Sequence, residues 1–400
     1  PLYSSAASDV YKRQVIVGGG SAAWLTAAIL SHNDNYEITI VDKEEGKPIG
    51  VGEATLLNFK PFMDSCGFKF EEWFREIDAT YKTGILFPGW GKNKRAVWHP
   101  FRPVPMAEPG EIRNEPTGFH LDCGKLVKFI QSKLNLTVIK SEVIKLDTKG
   151  LLLKNKQRIE GDLFVDCTGF KSLLQETPLT LLKDRLICDT AIAGHVQYDD
   201  IWKEKTPYVV SEAVECGWIW KIPLQSRIGT GIVFNKTITP VSEAKKIFLN
   251  HWKQRVGPTK LLNWTPYYKK EFWKDNVVRI GLSAGFIEPL ESTGLALIME
   301  GAHQLLIALG GGGFTSYDVA IYNAVLQNFF ETSIDFIGAH YTLNTRSESF
   351  WCKARSKIKK SKRQLLYSKF IEDSYHLPTT GVSSYSFFTR INWDLWLRQQ

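Results

Sequence analysis

The stretch Val15-Ile16-Val17-Gly18-Gly19-Gly20-Ser21-Ala22-Ala23-Trp24-Leu25-Thr26-Ala27-Ala28 constrains the fold of this chain more than any other. An apolar strand, a glycine-rich turn and an apolar helix in that order form a phosphate-binding junction within a parallel sheet. Gly18 permits the tight turn, Gly20 lets a pyrophosphate approach the backbone, and Ala23 stands where helix and strand pack closely, with Ser21 and Ala22 between them. A second strand, Glu37 to Val41, runs into Asp42, which lies 22 residues beyond Gly20 and is placed to hydrogen-bond an adenosine ribose. The alternative is a turn whose glycines serve packing only.

Two later segments favour FAD over NAD. Gly161-Asp162-Leu163-Phe164-Val165-Asp166-Cys167-Thr168-Gly169 reads as a strand entering an acidic, glycine-terminated turn, and Asn276 to Leu282 reads as a strand that returns to the same sheet. A nucleotide contacted early, midway and late fits a long cofactor across an interrupted domain. After the last strand comes Glu288-Pro289-Leu290-Glu291-Ser292-Thr293-Gly294, then an apolar helix from Leu295, with its N-cap expected at Ser292 or Thr293. The unpaired N–H groups at that helix start suit a halide, a phosphate or a developing anion, and two carboxylates share the turn. A plain capped helix start explains the same pattern locally.

With these pieces the chain resembles the flavin-dependent tryptophan halogenase family from Val15 to about Trp351. The resemblance is carried by the Gly18 to Ala23 turn, Ile49-Gly50-Val51-Gly52-Glu53-Ala54-Thr55, Ala79 to Ile85, Trp98-His99-Pro100-Phe101, Trp218-Ile219-Trp220-Lys221-Ile222-Pro223, Gly285 to Gly294, and Asp335-Phe336-Ile337 with His340-Tyr341. The Trp218-x-Trp220-x-Ile222-Pro223 signature separates halogenases from flavin monooxygenases of the same fold, although by composition both tryptophans are core residues. In this family FADH2, O2 and halide (chloride or bromide) yield hypohalous acid, which travels through a tunnel to an aromatic substrate. The resemblance places the tunnel lysine at Lys82, in a segment apolar enough to be half-buried, and the catalytic carboxylate at Glu291. It implies halide binding at Thr293 and Gly294, and substrate contacts by His99, Phe101, Glu291 and Ser292. Cofactor contacts are implied at Gly18, Gly20, Ser21, Ala22, Ala23, Asp42, Gly50, Val51, Gly52, Glu53, Ala54, Thr55, Asp166, Gly285 and Ile287. A separate flavin reductase is the implied partner.

The predicted fold class is α/β: an FAD-binding, Rossmann-like domain of the flavin monooxygenase type, an antiparallel sheet platform, and a C-terminal helical substrate cover. The expected boundaries are 15–175 with 276–345 for the discontinuous FAD domain, 176–275 for the platform and 346–400 for the lid. Residues 1–14 read as a non-native lead without a strand or helix pattern, and the end at Gln400 reads as a truncation of the cover. Ala191 to Val196 and Gly229 to Phe234 alternate like antiparallel strands. Gly310 to Gly313 reads as a turn.

Composition narrows the remaining classes. No apolar run reaches the roughly 20 residues of a membrane span and no secretory signal is visible, so a cytoplasmic address is expected, with no membrane partner. Six cysteines lack any Cys-x-x-Cys pair, against a structural metal site. The net charge of +8 is concentrated in Lys353, Arg355, Lys357, Lys359, Lys360, Lys362 and Arg363. That run reads as the solvated face of a helix and predicts no nucleic-acid partner. A homo-oligomer is compatible with the sequence.

Two departures shape the expected substrate. Ile334 stands where an arginine usually precedes Asp335, and the segment from Tyr367 to Gln400 has no counterpart of the strap that holds tryptophan's ammonium and carboxylate. A free indole, a phenol or a larger aromatic is therefore expected beside tryptophan. The competing functions are an aromatic hydroxylase on the same fold and a flavin-fold protein that binds a ligand without chemistry.

Overall fold

The computed structural model describes residues 13–32, 35–43, 51–108, 111, 116–310, 314–373, 377 and 385–399. Gly50 of the expected cofactor set and Gly311 to Gly313 of the expected turn lie outside the described residues.

Ile16 and Val17 sit at the centre of a six-stranded sheet, where Ile16 is flanked by Ile40 and Val165 and Val17 by Val41 and Asp166. Its order is Trp273–Lys274, Val277–Arg279, Leu163–Asp166, Arg13–Val17, Glu37–Asp42 and Thr137–Lys140. All neighbours are parallel except the Trp273–Lys274 edge. From the Arg13–Val17 strand the chain adds two strands on one side, then crosses to place Leu163–Asp166 on the other. That reversal opens a crevice at the strand C-termini, where doubly wound sheets bind ligands.

The first strand begins earlier than expected. Arg13 and Gln14, assigned by sequence to the non-native lead, belong to it. The Arg13 guanidinium reaches Asp162 at 2.8 Å and Glu160 at 2.9 Å, so a polar residue holds the strand by ion pairs that no apolar pattern reveals. The Ser21–Leu30 helix lies on this sheet and is buried from Ala23 to Leu30, wedged against the Cys123–Lys133 and Thr293–Leu309 helices.

The platform is a seven-stranded sheet ordered Lys260–Asn263, Thr190–Val196, Ile228–Phe234, Gly217–Pro223, Val209–Val214, Gly84–Phe87 and Val97–Pro100. Its last two strands come from the part of the chain assigned to the FAD domain, and Gly84–Phe87 pairs with Val209–Val214 in parallel, so the sheet is mixed and crosses the expected 176–275 boundary. The expected alternation is absent too: Ile228–Phe234 is buried throughout. One face packs on the main core, and the other is covered by Phe248 and Trp252 at the end of the Val241–His251 helix. Both faces are therefore dry, which favours a continuous apolar run.

A three-stranded sheet of Glu53–Ala54, Gly118–Leu121 and Thr80–Lys82 joins the two larger ones, with Ala54 and Thr80 on either side of His120 and Lys82 opposite Gly118. Beyond Thr293 the described chain is helical: Thr293–Leu309, Ser316–Leu343, Ser349–Lys357, Lys362–Glu372 and Arg390–Arg398. A Thr315 capping box opens the longest helix. The basic run is split between two helices and the turn between them. Arg355 donates to the carbonyls of Asn344 and Arg346, and Lys359 pairs with Asp184. Asp335 is paired despite Ile334, because Arg185 reaches it at 2.8 Å from a distant loop. No described helix is long and apolar enough to cross a membrane.

Candidate active site

The glycine-rich junction is built by exclusion. Gly18 has φ +137°, and a Cβ there would lie 2.4 Å from the Cys167 carbonyl oxygen, so the turn closes onto the neighbouring strand. A Cβ on Gly19 would strike the Asp42 carboxylate, which places Asp42 against the turn, where it also pairs with Lys140 at 2.9 Å. Above Gly20 nothing lies within 4 Å, and no side chain caps the Ser21–Leu30 helix. Open space over uncapped N–H groups fits a pyrophosphate.

Other cofactor candidates separate by what their side chains already do. Asp166 does not present a free carboxylate: one oxygen accepts from the Thr168 N–H and hydroxyl at 3.0 and 2.6 Å, the other from the Leu174 N–H at 3.0 Å. Its work is to shape the turn beside the crevice. The Ile287 side chain is buried in the core, and Gly285 is pressed against Tyr268 and Phe330, so both can meet a ligand only through backbone. The Val51 carbonyl abuts Gly229, Gly52 faces Ile222 and Leu224, and Thr55 hydrogen-bonds Phe119 at 2.8 Å. Glu53 is pushed up to about 7 by desolvation. The Val51 to Thr55 segment is thus packed against the signature strand Gly217–Pro223 at Ile222 and tied to Gly118–Leu121.

Glu291 lies at the end of a short 3-10 turn, Pro289–Glu291, and is fully buried. His99 Nδ1 approaches both its oxygens, at 3.0 and 3.2 Å, and His340 Nε2 lies 2.6 Å from Oε1. The other nitrogen of His340 faces the Phe336 carbonyl at 2.8 Å and must donate to it. The 2.6 Å contact therefore needs a proton between the two groups, and with Glu291 ionised it sits on His340 Nε2, which donates to the carboxylate. Desolvation pushes Glu291 up, but His99 and His340 outweigh it and hold the carboxyl at about 2. The second carboxyl of the same turn goes the other way: burial raises Glu288 to about 8, against the opposing hydrogen bond from the Tyr341 hydroxyl at 2.5 Å. One turn thus carries a carboxylate and a carboxylic acid near neutrality. Tyr341 also accepts from Trp218 Nε1 at 3.0 Å, which anchors the signature tryptophan in the core.

Lys82 was expected to be half-buried and is wholly buried. Among the described residues the ammonium meets the Thr55 carbonyl, at 2.9 Å, and the Phe101 ring, 5.0 Å from Nζ. Burial pulls it down to about 7, with Glu291 opposing.

A cavity of about 240 Å³ lies over Glu291, lined by Leu56, Ile85, His99, Phe101, Phe388 and Asn392 among others. It brings together His99, Phe101 and Glu291 of the expected substrate set, while Ser292 is not among its lining residues. His99 does more than offer a flat face, since its Nε2 lies 3.0 Å from the Asn392 amide. Sequence reading gave no site role to His340, Asn392 or Phe388. His340 was visible only as part of a motif, whereas Asn392 and Phe388 carry no signal until the Arg390–Arg398 helix folds back. At the turn's end Ser292 adopts φ +59° and makes no side-chain cap. The buried Thr293 hydroxyl has no partner among the described residues, and nothing lies within 4 Å of a Cβ on Gly294. Uncapped N–H groups with room above them fit a small anion.

A doubly wound sheet with an open glycine turn, joined through a signature strand to a buried lysine and carboxylate, defines a flavin-dependent redox enzyme of the halogenase type. A family model for tryptophan halogenase matches residues 13–110 and 102–398, and the chain belongs to that family. It is similar to the tryptophan 6-halogenase ThaL of Streptomyces albogriseolus, 29% identical over 87% of this chain and 79% of that one. The tryptophan 7-halogenase RebH of Lentzea aerocolonigenes is 28% identical over 84% and 77%. The crystal structure of the tryptophan 6-halogenase SttH from Streptomyces toxytricini superposes with a TM-score of 0.86 at 26% identity, covering 97% and 90% of the two chains. The protein is thus a flavin-dependent halogenase, an oxidoreductase.

Proposed function

We propose that this enzyme halogenates a neutral aromatic ring, indole- or phenol-like, in the cavity over Glu291, using hypohalous acid made from halide and O2 at bound FADH2. The observation that carries the reading is buried Glu291 facing a mostly apolar cavity, with buried Lys82 close enough for the two charges to act on each other. Gly18, Gly20, Ala22 and Asp42 would hold the dinucleotide, the Val51 to Thr55 segment its ring system, and Thr293 and Gly294 the halide. Bound as FADH2, delivered by a separate reductase, the flavin supplies the reducing equivalents that activate O2 to oxidise halide.

The remaining steps belong to the chain. Lys82, with a pKa near neutrality, exchanges a proton with hypohalous acid and presents it to the ring. Glu291, ionised and gripped by two imidazoles, stabilises the cationic ring that forms when halogen adds and then takes the proton that carbon releases. His99 and Phe101 hold the ring flat, and the segment 346–400 covers it. Among the described lining residues Glu291 is the single charged side chain, which suits a ring without an amino-acid zwitterion.

Purified protein with FAD, flavin reductase, NADH, O2 and bromide, screened by mass spectrometry against indoles, phenols and tryptophan, is expected to give a brominated product. That product should be lost in Lys82→Ala by at least about 100-fold. Oxygen inserted at a rate indifferent to bromide would instead assign a hydroxylase.

A further inference from the structure

His120 is a buried histidine that no step above uses. It lies in the Gly118–Leu121 strand, paired on one side with Ala54 of the cofactor segment and on the other with Thr80. Thr80 and Lys82 are two residues apart on one strand and face the same way, and His120 Nδ1 meets Thr80 Oγ1 at 2.7 Å. His120 therefore shares the Lys82 face, and the Lys82 charge acts on its ring.

The tautomer follows from one short contact. Thr80 Oγ1 lies 2.5 Å from the Pro223 carbonyl oxygen, and two oxygens at that distance require a proton between them. A threonine hydroxyl has one proton, and the carbonyl takes it. Thr80 can then only accept from His120, so Nδ1 carries the imidazole proton and Nε2 is a bare lone pair. Desolvation and the Lys82 charge both resist a second proton. Nε2 is buried and has no partner among the described residues. Such an acceptor is costly unless something donates to it.

We infer that His120 Nε2 is a hydrogen-bond acceptor for a small protic oxidant, hypohalous acid, on its way from the flavin side to Lys82. The inference rests on the proposed halogenase chemistry. A neutral acceptor takes the O–H of the acid and offers nothing to the hypohalite anion, so it selects the protonated and more electrophilic form. Thr80, through its bond to Pro223, fixes the tautomer and links this selection to the signature strand.

Two substitutions separate the acceptor from its support. His120→Asn places an amide N–H near Thr80 but has no atom at the Nε2 position, whereas His120→Gln places an amide oxygen near Nε2 and gives up the Thr80 contact. With FAD, reductase, NADH, O2, bromide and indole, the measured quantity is brominated indole relative to hypobromous acid captured by a soluble β-diketone trap. His120→Asn is expected to lower that ratio about 3- to 10-fold with flavin affinity, followed by flavin fluorescence, unchanged, and His120→Gln to stay within about 2-fold of wild type. The reverse order, equal ratios in all three proteins, or loss of flavin binding in both variants would overturn the inference. In parallel, 15N spectra of histidine-labelled wild-type apoprotein should show His120 protonated at Nδ1 and bare at Nε2. A proton on Nε2 would overturn it without reference to turnover. Absence of brominated indole and of trapped acid in the wild type, with the Nδ1 tautomer present, would mark failure of the halogenase reading itself and take this ligand with it.

Discussion

Lys82 sits in an apolar wall with one carbonyl and one aromatic face for company. Folding therefore lowers its pKa from about 10.4 in the free side chain to about 7. Between those values the unfolded chain binds a proton that the folded chain does not, so this group makes stability rise with pH, by up to about 1.4 kcal/mol per unit. Below pH 7 the cost of burying the ammonium is fully present. Lys82→Met should accordingly stabilise the apoprotein most near pH 6 to 7 and progressively less toward pH 9, in urea titrations run on both proteins. A constant difference across that range would show that Lys82 is solvated. The identity of this residue was legible, because a motif surrounds it, and so was that of Glu291. Their environment was not: the 3.0 Å and 2.6 Å grips on Glu291 come from residues 192 and 49 positions away in the chain. Asp166 shows the converse, a carboxylate whose strand-end position suggested a ligand while its lone pairs were already committed to a local turn.

The Arg390–Arg398 helix connects the cover to the chemistry. Trp396 is fully buried and stacks on His340 with ring centroids 3.6 Å apart, and Asn392 meets His99, so both imidazoles that grip Glu291 are backed by this one element. Gln399 also exchanges two hydrogen bonds of 3.0 Å with the Trp98 backbone. Trp396→Ala removes the largest of these contacts and should weaken docking by about 3–5 kcal/mol. The expected result is new cleavage around residues 390–398 in limited proteolysis and a Glu291 environment open to solvent, with FAD affinity unchanged. An unaltered cleavage pattern would mean that the helix is held by other contacts. That the C-terminal segment is helical was readable from its pattern, but the side that faces inward was not, since Trp393, Trp396 and Leu397 can be assigned a direction only once His340 and Phe336 stand beneath them.

Across the whole molecule the centre of the parallel sheet was the most legible part, because Arg13–Val17, Glu37–Asp42 and Leu163–Asp166 each run into a glycine or an acidic residue, whereas the Thr137–Lys140 and Trp273–Lys274 strands at its edges carry no such signal. The platform was read too narrowly, since the Gly84–Phe87 strand, which brings Val97–Pro100 with it, gives no local hint that its other partner is Val209–Val214. The crevice makes its own prediction. Gly20→Val adds atoms where nothing stands within 4 Å, so the apoprotein melting temperature should move by no more than about 1–2 °C. FAD at 100 times its dissociation constant should stabilise the wild type by about 2.7 kcal/mol and the variant by far less. Equal cofactor shifts in scanning calorimetry would place the pyrophosphate elsewhere. The mixed platform has a consequence for synthesis. Gly84–Phe87 must wait for Val209–Val214, more than a hundred residues later, and the Leu163–Asp166 strand must wait for Val277–Arg279. A ribosome releases most of this chain before either sheet can close, so the nascent protein carries exposed apolar edges for much of its elongation. Thr80, two residues from Lys82, therefore meets Pro223 of the signature strand only after more than half of the chain has been made.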